Sequence, residues 1–207
     1  MDISFSAACE NNKVAILSIL KKVFKDTDNV LEIGSGTGQH AQFFAENLSH
    51  LQWQPSDLLV NHPSISFRRE QYIERKQAQE STDSVNFLAP IEVDLNSLWN
   101  LASAVDGIFT ANTLHIVSWS LVQKFFSGVG KNLVNGGMLC IYGPFNYQGQ
   151  YTGESNAEFD LWLKERDENS AIRDFDSILL LANSVGLSLI EDNAMPANNR
   201  LLTFVMN

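Results

Sequence analysis

Between Val30 and His40 the chain reads Val-Leu-Glu-Ile-Gly-Ser-Gly-Thr-Gly-Gln-His, the residue types of a loop that holds a polar ligand. Gly34, Gly36 and Gly38, with Ser35 among them, let a backbone turn tightly and come close to a bound molecule. Glu32, two positions before Gly34, sets a carboxylate beside the turn. Such a group repels a pyrophosphate and suits a cation, or it can simply accept from loop N–H groups. The dinucleotide pattern Gly-x-Gly-x-x-Gly has its third glycine where this chain carries Gln39. Asp57 follows the middle glycine by about twenty residues, where an acid can accept from both hydroxyls of a ribose or cap the next helix. His115, with an ordinary pKa near 6.5, is a candidate general base, or a histidine packed beside Trp119. His40 reads as a capping or surface group.

Alternating strand-like and helix-like segments must position these residues, and they predict a mainly parallel sheet covered on both faces. A first helix places Ile16, Ile19, Leu20, Val23 and Phe24 on one face before Asp28-Asn29. A strand runs into the glycine turn, and Ala41, Phe44, Ala45 and Leu48 then follow at helical spacing. Further strands are expected at 51–55, 87–93, 107–111 and 138–142, ending near Asp57, Asp94, Asn112 and Gly143. Residues 63–79 are helix-permissive. A helix carrying Leu121, Val122, Phe125, Phe126, Val129 and Leu133 is expected to stop at Asn135-Gly136-Gly137. Ser155 and Glu158 have capping-box spacing before a helix that would bury Phe159, Trp162 and Leu163. A last helix with Phe175, Ile178, Leu179 and Ala182 ends at Gly186. The final strands, 187–191 and 201–205, are too close for a helical crossover and so pair as an antiparallel hairpin. The fold class is α/β: a Rossmann-like, doubly wound, mostly parallel seven-stranded sheet with a C-terminal antiparallel hairpin. In such a sheet ligands sit beyond the carboxyl ends of the strands, which selects Gly34–Gly38, Asp57, Asp94 with Leu95, Asn112–His115 and Gly143–Tyr147.

The 207 residues suit one domain, 1–207, with a helix or lid over 1–27. Met1-Asp2-Ile3-Ser4 lacks a basic-then-apolar signal and no run has the length of a membrane span, so cytoplasmic residence is expected. Cys9 and Cys140 form neither a disulfide framework nor a metal-ligand spacing, and no metal is expected. A net charge of −10 repels nucleic acid. The one dense basic run, Arg68-Arg69 with Arg75-Lys76, is interleaved with Glu70, Glu74 and Glu80 and reads as a solvated helix face.

The Glu-x-Gly-x-Gly-x-Gly run resembles motif I of class I S-adenosylmethionine-dependent methyltransferases, and the expected sheet with its final hairpin is that fold. The resemblance implies S-adenosylmethionine as cofactor, held by Glu32, Gly34, Ser35, Gly36, Gly38 and Asp57. It also implies that Asp94 accepts from the adenine amino group beside Leu95, and that Asn112 faces the methionine portion. Asp94 has the alternative of an ordinary N-cap. Segments along the whole chain are similar to the methyltransferase-like protein twenty-six family. They are Phe5-Ser6-Ala7-Ala8 with Glu10-Asn11-Asn12-Lys13, Trp53-Gln54-Pro55-Ser56-Asp57, Phe109 to His115, Tyr142 to Tyr147, Glu154-Ser155-Asn156-Ala157, Ile172-Arg173-Asp174-Phe175 and Ala194 to Leu201. Asn11 stands where that family has Arg.

Residues of these segments without a cofactor role are acceptor-side candidates. Ser6, Glu10 and Asn12, ahead of the first helix, would form a lid. Asn146, Tyr147, Asn156, Asn198, Asn199 and Arg200 offer hydrogen-bonding groups from loops, and Tyr142, Tyr147 and Tyr151 are candidates to line an acceptor pocket. Packing for the tyrosines, a left-handed turn for Asn198-Asn199 and an ion pair for Arg200 are the competing readings. The expected activity is methyl transfer to a small-molecule acceptor. A sulfonium methyl is already activated, so aligning the nucleophile is the main task, worth roughly 7–11 kcal/mol. No nucleic-acid or membrane partner is expected. The alternative is a cofactor-binding scaffold without turnover.

Overall fold

The computed structural model describes residues 5–79 and 84–207; the N-terminal Met1–Ser4 reading and the Glu80 assignment lie outside them. The chain groups into two compact units, 1–94 and 95–207.

The first unit runs α1 (Ala7–Val23), β1 (Asn29–Ile33), α2 (Gln39–Asn47), β2 (Gln52–Asp57), a 3-10 turn (Leu59–Asn61), α3 (His62–Ala78) and β3 (Ile91–Glu92). Ser6 caps α1 by accepting from Cys9 N–H, and Ile16, Leu17 and Leu20 of α1, with Phe24 just beyond it, are buried. The helix therefore starts ahead of Glu10 and Asn12, which lie within it and not on a preceding lid. α2 buries Ala41, Phe44 and Ala45, with the Phe44 ring 5.2 Å from that of Trp53 in β2. The strands stand in the order β3-β2-β1, all parallel, with Val30 opposite Trp53 and Asp57 opposite Glu92. β3 is shorter than the expected 87–93 because Pro90 has no N–H to give a ladder; Phe87 makes only an isolated bridge to Trp53. α3 buries only Ile65 and Tyr72. Its arginines are more than a solvated face: Arg68 Nε donates to Thr37 C=O at 2.8 Å and Arg69 Nε to Phe87 C=O at 2.8 Å.

The second unit runs β4 (Val105–Ala111), α4 (Trp119–Asn132), β5 (Leu133–Gly143), β6 (Phe145–Asn146), α5 (Glu154–Arg166), β7 (Arg173–Asp174), α6 (Phe175–Ser184), β8 (Leu187–Ala194) and β9 (Arg200–Met206). The order is β4-β5-β9-β8, with β4 and β5 parallel and β9 antiparallel to both its neighbours; β6 and β7 form a separate parallel pair. Among the described residues the fold is thus α/β with seven main strands, mostly parallel and ending in an antiparallel pair, and the expected 187–191/201–205 hairpin is present.

Three local expectations are corrected here. α4 stops at Asn132, before Asn135-Gly136-Gly137, because Leu133 is extended and joins the sheet opposite Val105; Gly136, at φ +78°, lies inside β5. α5 begins at Glu154 after Gly153, so Ser155 is not its cap; its hydroxyl accepts from Asn198 Nδ2 instead. The inner face of α5 is Asn156, Asp160 and Leu163, leaving Phe159 half-buried and Trp162 exposed. The buried Asp160 makes that polar face tenable by accepting from Tyr151 Oη, Lys164 Nζ and Ile172 N–H, all within 2.7 Å. Among the described residues, no helix is long and apolar enough to cross a membrane.

Candidate functional site

In the first unit, Glu32, Gly34, Ser35, Gly36, Gly38 and Asp57 come together where β1 and β2 end. The two strands are parallel and in register through Ile33↔Ser56, so the loop leaving β1 lies against the end of β2. Ser56 C=O accepts from both Gly34 N–H and Ser35 N–H at 3.0 Å, and Ser35 Oγ accepts from Ser56 N–H at 3.1 Å. All three glycines are left-handed, at φ +74°, +53° and +78°. A Cβ on Gly38 would meet Ile65 Cα at 3.0 Å, whereas one on Gly36 would meet nothing within 4 Å. The loop is thus packed on α3 at its far end and open at its middle.

Two carboxylates flank the opening. Asp57 Oδ2 accepts from Gly36 N–H at 2.7 Å, while Oδ1 takes Leu58 N–H and Asn61 Nδ2. Asp57 therefore does cap the following turn, and it also pins the glycine loop. A carboxylate has about four acceptor sites, so this arrangement leaves it room for one more donor. Glu32 is 2 % exposed and accepts from Trp53 Nε1 at 2.9 Å. Burial pushes its carboxyl up to about 7, opposed by hydrogen bonds from Trp53 and Ser35 and assisted by the nearby Asp57 charge. Asp94 follows β3, where Val93 N–H donates to Asp57 C=O at 3.2 Å. The surroundings suit a cation and disfavour a pyrophosphate.

The remaining lid candidates belong to this unit too. Glu10 faces Gln39 and Asn12 faces His40, whose Nε2 lies 2.7 Å from Asn12 Oδ1. His40 is buried and stacked on Phe44, not a surface group, and desolvation pulls its pKa down to about 4.

In the second unit, Leu95 is buried and Asn112 follows β4 in a left-handed conformation, its N–H donating to Tyr142 C=O at 2.9 Å. His115 is 4 % exposed and packs edge-on to Phe159. Desolvation, then the charge of Arg173, lowers its pKa to about 4. These features favour the packed reading of His115 over the general base. Arg173, whose role its residue type does not disclose, is buried and its guanidinium donates to the carbonyls of Leu114, Val117 and Asn169, bracing the segment after β4.

Of the acceptor-side candidates, Tyr147 and Arg200 meet on one acid that spacing did not reveal. Asp192 accepts from Tyr147 Oη at 2.6 Å and from Arg200 Nε at 2.7 Å. Burial and then Asp192 push the Tyr147 phenol above its ordinary range. Tyr151 is held by Asp160, and Tyr142 is buried. Asn156 Nδ2 donates to Asn198 C=O, Asn198 is left-handed at φ +56°, and Asn199 Nδ2 donates to Pro196 C=O, the contacts of an ordered turn. Among the described residues, Asn146 Oδ1 is buried without a hydrogen-bond partner.

The profile of a family described as "Protein of unknown function (DUF938)" matches residues 3–206. Solved structures share the fold. An O-methyltransferase family protein from Burkholderia thailandensis superposes with a TM-score of 0.75 at 16% identity, over 94% of this chain and 56% of that one. An O-methyltransferase family 2 protein from Planctomyces limnophilus, complexed with apigenin, gives 0.75 at 13% identity, over 97% and 58%. An O-methyltransferase from neocarzinostatin biosynthesis, complexed with S-adenosylmethionine and 2-hydroxy-5-methyl naphthoic acid, gives 0.73 at 12% identity, over 97% and 55%. The chain thus spans little more than half the length of these proteins, and at such identities the likeness is one of fold.

Proposed function

The chain belongs to the DUF938 family, and from the geometry of its glycine loop we propose that it is an S-adenosylmethionine-dependent methyltransferase acting on a small molecule. The observation that carries this reading is the buried Glu32 carboxyl beside an open glycine turn that Asp57 pins through Gly36 N–H. Among the described residues no Lys or Arg is ion-paired with this buried carboxyl, raised to about 7, and the amino group of S-adenosylmethionine would supply a cation. Asp57, at the end of β2, would accept from the ribose, and Asp94, after β3, from the adenine amino group. Gln39 in place of a third glycine argues against a nicotinamide dinucleotide.

The cofactor, when bound, supplies an electrophilic methyl group. The chain's own contribution is to bind, to orient and to exclude water. His115, buried and neutral, is assigned a packing role, so the acceptor must arrive nucleophilic or be deprotonated by another group. The fold shared with small-molecule O-methyltransferases supports the acceptor class, as do the apigenin and naphthoic acid bound by two of them. The resemblance to the methyltransferase-like protein twenty-six family supports the same reading.

Calorimetric titration with S-adenosylmethionine, S-adenosylhomocysteine and NAD tests it. Micromolar binding of the first two, about −8 kcal/mol, with none of NAD and at least tenfold weakening in Asp57→Ala, is the expected result. Absence of binding to both methyl-cycle ligands would overturn it.

A further inference from the structure

Gln39 sits at the start of α2 and is 5 % exposed, yet its side-chain amide uses its whole hydrogen-bonding capacity. Oε1 accepts from Ser6 N–H at 2.6 Å and from Thr37 Oγ1 at 3.1 Å. Nε2 donates to Glu10 Oε1 at 2.8 Å and to Ser6 C=O at 3.3 Å. The next residue, His40, meets Asn12. Two consecutive residues of α2 therefore fasten the first two turns of α1. On the opposite side, Thr37 C=O accepts from Ser64 Oγ at 3.1 Å and Arg68 Nε at 2.8 Å. The glycine loop is gripped between α1 and α3.

A buried amide is costly to leave half-satisfied, so releasing the start of α1 strands Gln39, and losing Gln39 strands the Ser6 backbone. We propose that Gln39 is a positioning residue that makes the first turn of α1 part of the cofactor loop, so that ligand binding at Gly34–Gly38 and the order of residues 6–12 are coupled. The inference rests on the S-adenosylmethionine reading of that loop. Coupling of this kind is reciprocal: a ligand that steadies the loop also steadies the helix start.

An exchange of partners tests the contact. In Gln39→Glu a carboxylate faces the carboxylate of Glu10 and the carbonyl of Ser6, with no donor between them. In the double variant Glu10→Gln/Gln39→Glu the amide moves to position 10 and the 10–39 donor–acceptor pair is restored, leaving the long contact to Ser6 C=O as the one bond not regained. The exposed Lys13–Glu10 ion pair, lost in the double variant, is a minor contribution. For Gln39→Glu, the S-adenosylmethionine Kd is expected to rise at least tenfold, about 1.4 kcal/mol, with faster amide hydrogen exchange at residues 7–12. The double variant should return Kd to within threefold of the parent and slow that exchange again, which also shows that Glu is tolerated at position 39. A Kd within twofold of the parent in Gln39→Glu, despite faster exchange, would overturn the proposal. So would a double variant no better than the single one. If the parent protein binds no S-adenosylmethionine, the cofactor reading fails by itself, and exchange alone decides the coupling. Residues 7–12 and 34–38 accelerating together in Gln39→Glu supports it; acceleration of 7–12 alone overturns it.

Discussion

Trp53 donates its indole N–H to Glu32 across the parallel β1–β2 pair at 2.9 Å, with the tryptophan fully buried and the carboxyl nearly so. The indole is a donor without charge. It holds the carboxyl without neutralising it, and on the proposed reading that charge is the one the cofactor's amino group meets. The cost is borne by the ligand-free protein, in which ionised Glu32 sits in a medium that solvates it poorly.

That cost has a definite pH dependence. The pKa of Glu32 is raised in the folded chain to about 7 from an ordinary 4.5, so its contribution is fully present below pH 4.5 and is lost as pH rises through 7. Above that, the parent forfeits on the order of 3 kcal/mol that Glu32→Gln retains, since Gln still accepts from the indole. Urea unfolding of both proteins at pH 5 and pH 8 should show the variant gaining relative stability at the higher pH. A pH-independent difference would mean that Glu32 ionises like a surface carboxylate.

His40 and His115 act in the opposite direction. Their pKa values fall to about 4 in the folded chain from an ordinary 6.5, so the stability they contribute is present above 6.5 and lost as pH falls through 4. Proton NMR titration should place the Cε1–H midpoints of both rings near 4. A midpoint near 6.5 for His115 would restore it as a candidate base.

The glycines of the loop should respond unequally to alanine. At Gly36 the Cβ enters open space and the variant bears only the left-handed conformation, about 1–2 kcal/mol. At Gly38 the same conformational cost is joined by a 3.0 Å contact with the Ile65 backbone, so Gly38→Ala should be the less stable by about 1 kcal/mol or more in urea unfolding. Gly36→Ala should instead lose its ligand while keeping most of its stability.

Much of this was legible in the chain because the signals are local. The glycine turn, the apolar face Ala41–Phe44–Ala45 and the short connection between the last strands each lie within one window of sequence. The errors arose where a distant partner overrode a local pattern. Asn135-Gly136-Gly137 reads as a helix stop, but Leu133 had already been taken by the sheet opposite Val105. Ser155 reads as a cap, but Asn198, far along the chain, claims its hydroxyl. Asp192 gave no signal, since only the register of β8 against β9 carries it to Arg200 and Tyr147. His40 reads as a capping or surface group because residue type reports chemistry and not burial, and for the same reason the base and the packed readings of His115 stand side by side in the sequence.

The place of β9 between β5 and β8 bears on how the second unit is assembled. Met138 pairs with Val205, so one flank of β5 stays bare until residues 200–206 arrive. Contacts so distant in sequence close slowly, and an unpaired apolar strand edge meanwhile invites other chains. Refolding of this unit should therefore be the slow and concentration-sensitive stage, with the β8–β9 hairpin docking as the step that ends its exposure to aggregation.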